Sequence, residues 1–210
     1  MRFHPIKNTI QRGFEWALSV DAPTELDHVE RLRTKYPDHS NAALAKKLVR
    51  RARWWGIGAG FVTGLPANPW ISMPAATADV GAMLRVEVVL AQRIALLYDP
   101  TYLDDGAVPY ELLVPILGSR AAGEFLKEVA QRSGMGITRV VVKSVLTKAT
   151  LSQFKRIMLK YFGLKVTQRA VLGKTMPLVG GVIGATWNNR ELSAVGKRVV
   201  RYFEGEQLET

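Results

Sequence analysis

The sequence predicts an all-α protein with a single helical domain, and three observations support this prediction. Apolar residues recur at intervals of three and four positions along most of the 210 residues. Ser, Thr, Pro and Gly residues stand where helices are expected to begin and end. The β-branched run from Val140 to Val142 has no evident partner strand elsewhere, so we expect it to be helical as well.

The first part of the chain is expected to form two capped helices. Thr24 is predicted to cap an amphipathic helix, and Ser40 is predicted to cap a second helix over 41–55. We divide the chain into a variable N-terminal helical segment, 1–39, and a helical domain, 40–205.

The remaining helices are read from apolar spacing and from helix breakers. The longest is expected from about Pro74 to Tyr98, and shorter helices are expected around 109–117 and 120–132. A basic amphipathic helix is expected over 150–162, with Gly163 as its C-terminal cap.

Positive charge is concentrated in one third of the chain. The whole sequence carries a net charge of +11, from 29 Lys and Arg against 18 Asp and Glu. Between Arg139 and Arg201 there are 13 basic residues and a single acid, Glu191, so this part holds the whole excess. Such a block favours a polyanionic partner, namely an anionic membrane surface, nucleic acid or an acidic protein. The alternative is a solvated face that keeps the protein soluble.

The basic amphipathic helix supplies the candidate lipid-binding and anion-binding residues. Its apolar stripe is Leu151, Phe154, Met158 and Tyr161. The candidate residues are Lys155, Arg156, Lys160, Lys165, Arg169 and Lys174. A helix of this kind can lie on an anionic bilayer. It can also be an ordinary surface helix that packs its apolar stripe on the core.

Two stretches contain no charged residue and many glycines. The first covers 54–78, and prolines interrupt it, so we expect a helical hairpin, buried or dipping into one leaflet, rather than a straight spanning helix. The second covers 175–189 and is too short to span a bilayer. Glycines spaced by four are predicted to form helix-packing faces, either in a tight soluble core or in the membrane. They are Gly56, Gly60, Gly64, Gly180 and Gly184.

The sequence favours a non-catalytic protein over an enzyme. It lacks Cys, which excludes thiol chemistry and disulfides. Its three His residues show no metal-ligand spacing. We therefore expect no metal and no cofactor. The only candidates for catalysis are Asp79 and Glu87 on the longest helix, and Arg93 is a candidate to neutralise one of them. Their structural interpretations are a helix cap for Asp79 and an ion pair for Glu87.

Several motifs, in order, resemble the EcsC family of bacterial proteins over residues 40–203. They are Gly64-Leu65-Pro66, PAATADVGAML with Asp79, RIALLY (93–98), KTMPLVGGVIGATWNNR (174–190) and VGKRVVRYF (195–203). One departure is Tyr98-Asp99-Pro100-Thr101-Tyr102, where the family pattern is Tyr-Gly-Tyr-Asp, so we expect this loop to be rebuilt. The resemblance implies a helical, membrane-associated cytoplasmic protein, in a family named for a protein encoded beside an ABC-type transporter. It brings no catalytic residues.

Together these observations predict peripheral association with the inner face of the cell membrane, as an accessory to a transport or envelope system. The expected partners are an anionic membrane surface and a membrane-transport complex. No signal peptide is expected, because the first residues contain no apolar run with a cleavage site. One alternative is a nucleic-acid-binding protein in which Phe154, Tyr161, Phe162, Trp187 and Tyr202 stack on bases. The other is a carboxylate-dependent hydrolase that uses Asp79 and Glu87. The sequence does not predict an oligomeric state.

Overall fold

The computed structural model describes residues 4–60, 69–104, 110–118, 138–146, 148–175 and 179–206. The helices in these ranges are α1 (His4–Leu18), α2 (Ala22–Lys35), α3 (Asn41–Gly60), α4 (Pro69–Tyr98), α5 (110–118), α6 (Arg139–Val145), α7 (Lys148–Thr175) and α8 (Val179–Phe203). A short 3-10 helix, Tyr102–Asp104, follows α4. The described residues contain no strand, so the all-α prediction is confirmed for them.

The structure confirms one of the two predicted N-terminal caps. The backbone N–H of Ala43 donates to Ser40 Oγ at 3.3 Å, so Ser40 caps α3 as expected. Thr24, in contrast, lies inside the first turn of α2, where its hydroxyl donates to Asp21 Oδ2 at 2.5 Å. The N-cap position of α2 is Asp21, whose backbone is extended. The prediction for Thr24 was therefore wrong by three residues.

Two helices are longer than the sequence pattern indicated. α4 begins at Pro69, five residues early, and includes Pro74 at the cost of one helical hydrogen bond. α7 continues through Gly163 to Thr175, so the predicted cap at Gly163 is wrong. A methyl group at Gly163 would lie 3.7 Å from Ile10 of α1, which shows that this position packs against another helix. The helix predicted over 120–132 lies outside the described residues.

α4 is the central helix of the bundle and packs against α1, α2, α3, α7 and α8. Its buried side chains repeat at three and four positions, as the sequence predicted; they include Leu84, Val88, Ala91, Ile94 and Ala95. α1 and α2 contribute Phe14, Ala17 and Val29 to the same core. The apolar spacing therefore identifies the buried face of α4 correctly.

Contacts at the helix ends establish how the main helices are oriented. Arg33 donates to Asn41 Oδ1 at the start of α3 and, at 2.5 Å, to the carbonyl oxygen of Leu97 near the end of α4. Tyr98 stacks on Phe203 at the end of α8, with a ring-centroid distance of 6.0 Å. The start of α3 thus lies at the same end of the bundle as the ends of α4 and α8. Since α3 packs along both helices, it runs antiparallel to them.

Candidate functional site

The exposed face of α7 is a basic surface. This helix of 28 residues contains no Asp or Glu. Its apolar stripe packs into the core, where Phe154, Met158, Phe162 and Val166 are buried. The helix is thus held in place by its apolar face, while its charges remain on the other face.

The structure describes four of the six predicted anion-binding side chains. Lys155, Arg156 and Lys160 are exposed, and Lys165 is half-buried. Within the described part of the chain, no ion pair joins any of the four to an acidic side chain. Two of the ammonium groups lie near aromatic rings instead. Lys155 Nζ is 4.3 Å from the ring centroid of Tyr110, and Lys165 Nζ is 5.3 Å from that of Tyr161. The side chains of Arg169 and Lys174 lie outside the described residues.

Glu87 is a buried carboxyl group between α4, α7 and α8. It is 2% exposed, and its Oε1 has no hydrogen-bond partner among the described residues. Burial raises the pKa of Glu87 to about 7, Lys165 and Arg198 oppose this rise, and Glu191 adds to it. No described ion pair neutralises Glu87, so its interpretation as a member of a structural ion pair is not supported.

Asp79 and Glu87 lie at different levels of α4. They are eight residues apart on one helix, which separates them by about 12 Å along its axis. Asp79 is half-buried, whereas Glu87 is fully buried. Arg93, the predicted partner of one of them, instead donates to Glu25 of α2 at 2.5 Å. The prediction for Arg93 was wrong because sequence spacing cannot show a contact with another helix.

A search of the described residues finds no group of three His, Asp or Glu side chains that could hold a metal ion. His28 of α2 lies against a basic side chain of α3. Its Nε2 lies 3.2 Å from Arg51 Nη1, and the pKa of His28 is lowered by burial and by the charges of Arg93 and Arg51. The ring belongs to a basic contact between α2 and α3.

Sequence reasoning missed a second charged cluster, which surrounds Arg139 of α6. Its guanidinium lies 3.2 Å from Asp99 Oδ2 and 3.4 Å from Glu111 Oε1. The Tyr202 hydroxyl donates to the same Glu111 oxygen at 2.9 Å. The guanidinium also lies 4.4 Å from the ring centroid of Phe203. We call these five residues the arginine cluster. Its members come from separate elements, so no local sequence pattern could have indicated it.

The arginine cluster includes Asp99 of the loop over 98–102 and fixes the position of that loop. Asp99 receives hydrogen bonds from Thr101 and Arg139, which outweigh the effect of burial and lower the pKa of its carboxyl group. Tyr102 is 3% exposed beside the Arg139 guanidinium, and Tyr98 donates to Glu204 at 2.8 Å. The loop therefore attaches the end of α4 to α6 and α8.

The close helix approaches that the structure describes involve other glycines than those predicted. A methyl group at Gly196 of α8 would collide with Val49 of α3, and one at Gly13 of α1 would lie 2.7 Å from Thr77 of α4. Gly64 lies outside the described residues. The remaining predicted glycines are helical, but their surroundings are not described; they are Gly56, Gly60, Gly180 and Gly184.

Among the described residues, no helix combines the length and the apolar character that crossing a membrane requires. Comparisons with models of protein families, with curated proteins and with solved structures found no match to this chain.

Proposed function

We propose that the protein binds anionic membrane surfaces peripherally, at the cytoplasmic face of the cell membrane. The observation that carries this proposal is the basic face of α7. Lys155, Arg156 and Lys160 are exposed on a helix that has no acid of its own, and no described acid pairs with them. Anionic phosphate groups are a natural counterpart for such a surface.

The strength of this attraction can be estimated. Each Lys or Arg near an anionic bilayer contributes about 1 kcal/mol, so the three exposed residues together contribute roughly 3 kcal/mol. Phe154, Met158 and Phe162 are buried in the core, so the main apolar stripe of α7 is not available to insert, and Leu164 is the exposed large apolar side chain among the described residues of this helix. Its contribution is thus electrostatic, and it should weaken as salt concentration rises.

The resemblance to the EcsC family supports the same setting, and we extend the proposal to an accessory role beside a transport or envelope system. The proposal includes the helical hairpin expected over 54–78 and close packing of helices through the predicted glycines. Arg53 of α3 contacts Asn189 of α8, and Val49 lies against Gly196. Continuing this antiparallel register by about two turns would bring Gly60 of α3 to the level of Gly184 of α8.

The two alternative functions have less support. Phe154, Phe162 and Tyr202 are buried, so they are not available to stack on the bases of a nucleic acid. A carboxylate-dependent hydrolase would need acidic groups that converge on one substrate, and Asp79 and Glu87 are about 12 Å apart along α4.

The test is flotation with phosphatidylcholine vesicles that contain about 30 mol% phosphatidylglycerol. We expect the protein to float with these vesicles at low salt and to be released at high salt. The triple variant Lys155→Glu, Arg156→Glu, Lys160→Glu should remain unbound. The matched control changes three exposed basic residues of α1 and α2 by the same charge: Arg12→Glu, Arg31→Glu, Lys35→Glu. Equal loss of binding in both triple variants, or no flotation of the unmodified protein, would overturn the proposal.

A further inference from the structure

The helices α3 and α8 form one side of the bundle. They pack against each other and both pack on α4, so the faces that they turn away from α4 belong to one surface. Val49 of α3 lies against Gly196 of α8, and one turn further along α3 Arg53 contacts Asn189. These two contacts set the register of the antiparallel pair.

The surface turned away from α4 carries basic side chains and one large aromatic ring. On α3, Lys46, Arg50 and Trp54 are exposed and spaced by four residues, so they follow one another along one face. On α8, Arg190 and Lys197 are exposed and spaced by seven residues, which again places them on one face. The register puts Lys197 level with Lys46, and it puts Arg190 level with Trp54. We call these five residues the outer face.

The two helices supply no acid that neutralises the outer face. The sequence of α3 contains no Asp or Glu. Glu191 is the single acid of α8, and it lies 3.4 Å from Arg198. Within the described ranges, no ion pair involves a basic residue of the outer face. The four positive charges therefore remain available to an anionic partner.

Trp54 adds an exposed ring to this row of charges. It is 73% exposed, and its neighbour Trp55, which is 69% exposed, lies on the flank of the outer face. A single strand of nucleic acid alternates phosphate groups with flat bases, and such bases stack on aromatic side chains. From Lys46 to Trp54 the face is about 12 Å long, which corresponds to about three to four stacked nucleotides.

A bilayer matches the outer face less well. The helix α7 packs on α1 and α4, so its basic face looks out from another side of the bundle, and one flat membrane cannot contact both. Trp54 is the only large apolar side chain of the outer face. It offers a ring for stacking rather than an apolar patch for insertion.

We propose that the outer face binds single-stranded nucleic acid, with its four basic side chains on the phosphates and Trp54 stacked on a base. This activity goes beyond the proposed function, because it uses residues outside α7. Phe154, Phe162 and Tyr202, which the sequence suggested for stacking, are buried, whereas Trp54 is exposed.

The experiment is an anisotropy titration with a fluorescein-labelled oligo-dT of about 12 nucleotides, repeated at several salt concentrations. Four phosphate contacts predict that log K falls with log salt with a slope of about −3. Trp54→Ala should weaken binding by about tenfold or more. Its matched control is Trp16→Ala, because Trp16 is also exposed but lies on α1, with its ring 4.9 Å from the Arg85 guanidinium. This control should bind normally.

The charges are tested by two triple variants that remove the same charge from different sides of the bundle. The outer-face variant is Lys46→Gln, Arg50→Gln, Arg190→Gln, and it should reduce the slope to about −1. The control variant is Lys155→Gln, Arg156→Gln, Lys160→Gln, and it should keep the slope of the unmodified protein. Circular dichroism checks that each variant is folded.

The outcomes separate this activity from the proposed function. No binding of oligo-dT by the unmodified protein, or an equal loss in both triple variants, overturns the inference. Tighter binding to poly-glutamate than to oligo-dT would assign the outer face to an acidic protein, and loss of vesicle flotation in the outer-face variant would assign it to lipid. Either result also overturns it. Failure of the unmodified protein to float with vesicles overturns only the proposed function.

Discussion

Arg93 of α4 donates from Nε to Glu25 Oε2 of α2 at 2.5 Å, and the two side chains are 22% and 9% exposed. Arg93→Met should therefore leave a buried carboxylate without its partner and lower the free energy of unfolding by about 3–5 kcal/mol. Urea denaturation at neutral pH measures the change.

The control for this pair is the ion pair of Arg31 and Asp27, which has a good distance of 2.8 Å but is largely exposed. Arg31→Ala should cost less than about 1 kcal/mol. Similar losses for Arg93→Met and Arg31→Ala would contradict the argument from burial.

Glu87 should make the stability depend on pH. Burial raises its pKa from 4.5 to about 7, so between these values the folded protein holds a proton that the unfolded chain has released. The contribution of Glu87 to the free energy of unfolding thus falls as pH rises from 4.5 to 7, by roughly 3 kcal/mol, and is constant above 7.

Glu87→Gln removes this titration. We expect urea denaturation to show a variant that is more stable than the unmodified protein at pH 8, with the advantage shrinking towards pH 4.5. His28 acts in the opposite direction, because its lowered pKa reduces stability as pH falls below 6.5. This effect is the same in the unmodified protein and in Glu87→Gln, so it cancels when the two are compared. A difference between the two proteins that does not change with pH would contradict the assignment.

Gly196 is expected to be intolerant of a side chain. A methyl group there would collide with Val49 of α3, so Gly196→Ala should destabilise the fold by about 1–3 kcal/mol. Adding Val49→Ala should restore part of the loss, which a double-mutant cycle measures.

Gly163 is the matched control, because a methyl group there meets Ile10 only at 3.7 Å, an ordinary contact distance. It lies in the interior of α7, where Ala is favoured over Gly by about 0.5–1 kcal/mol. We expect Gly163→Ala to be neutral or stabilising. A loss equal to that of Gly196→Ala would mean that α1 packs more tightly on α7 than the structure shows.

Arg139 should be more important for stability than its carboxylate partner Asp99. Arg139→Ala would remove the guanidinium from the buried Glu111, whose Oε1 also accepts from the Tyr202 hydroxyl, and should cost about 3 kcal/mol. Asp99→Asn should cost about 1 kcal/mol or less, because Asp99 is 33% exposed. Thermal unfolding of the two variants ranks them, and the reverse order would contradict the arginine cluster as described.

Local patterns predicted the local features of this fold and missed those that depend on tertiary contacts. The spacing of Phe154 and Met158 correctly predicted the buried face of α7, because amphipathicity is visible within one helix. The same local reasoning ended that helix at Gly163, where packing against α1 outweighs the low helix propensity of Gly. The partner of Arg93 could not be predicted, since Glu25 is 68 residues away.

The contact between α1 and α7 has a consequence for how the chain folds as it is synthesised. Phe14 lies 5.6 Å from Phe162 between ring centroids, although roughly 150 residues separate them along the chain. α4 can cover one part of the apolar side of α1 early, but the part that contacts α7 stays uncovered until the ribosome has released α7. The nascent polypeptide should therefore depend on chaperones for longer than a bundle of sequential neighbours would.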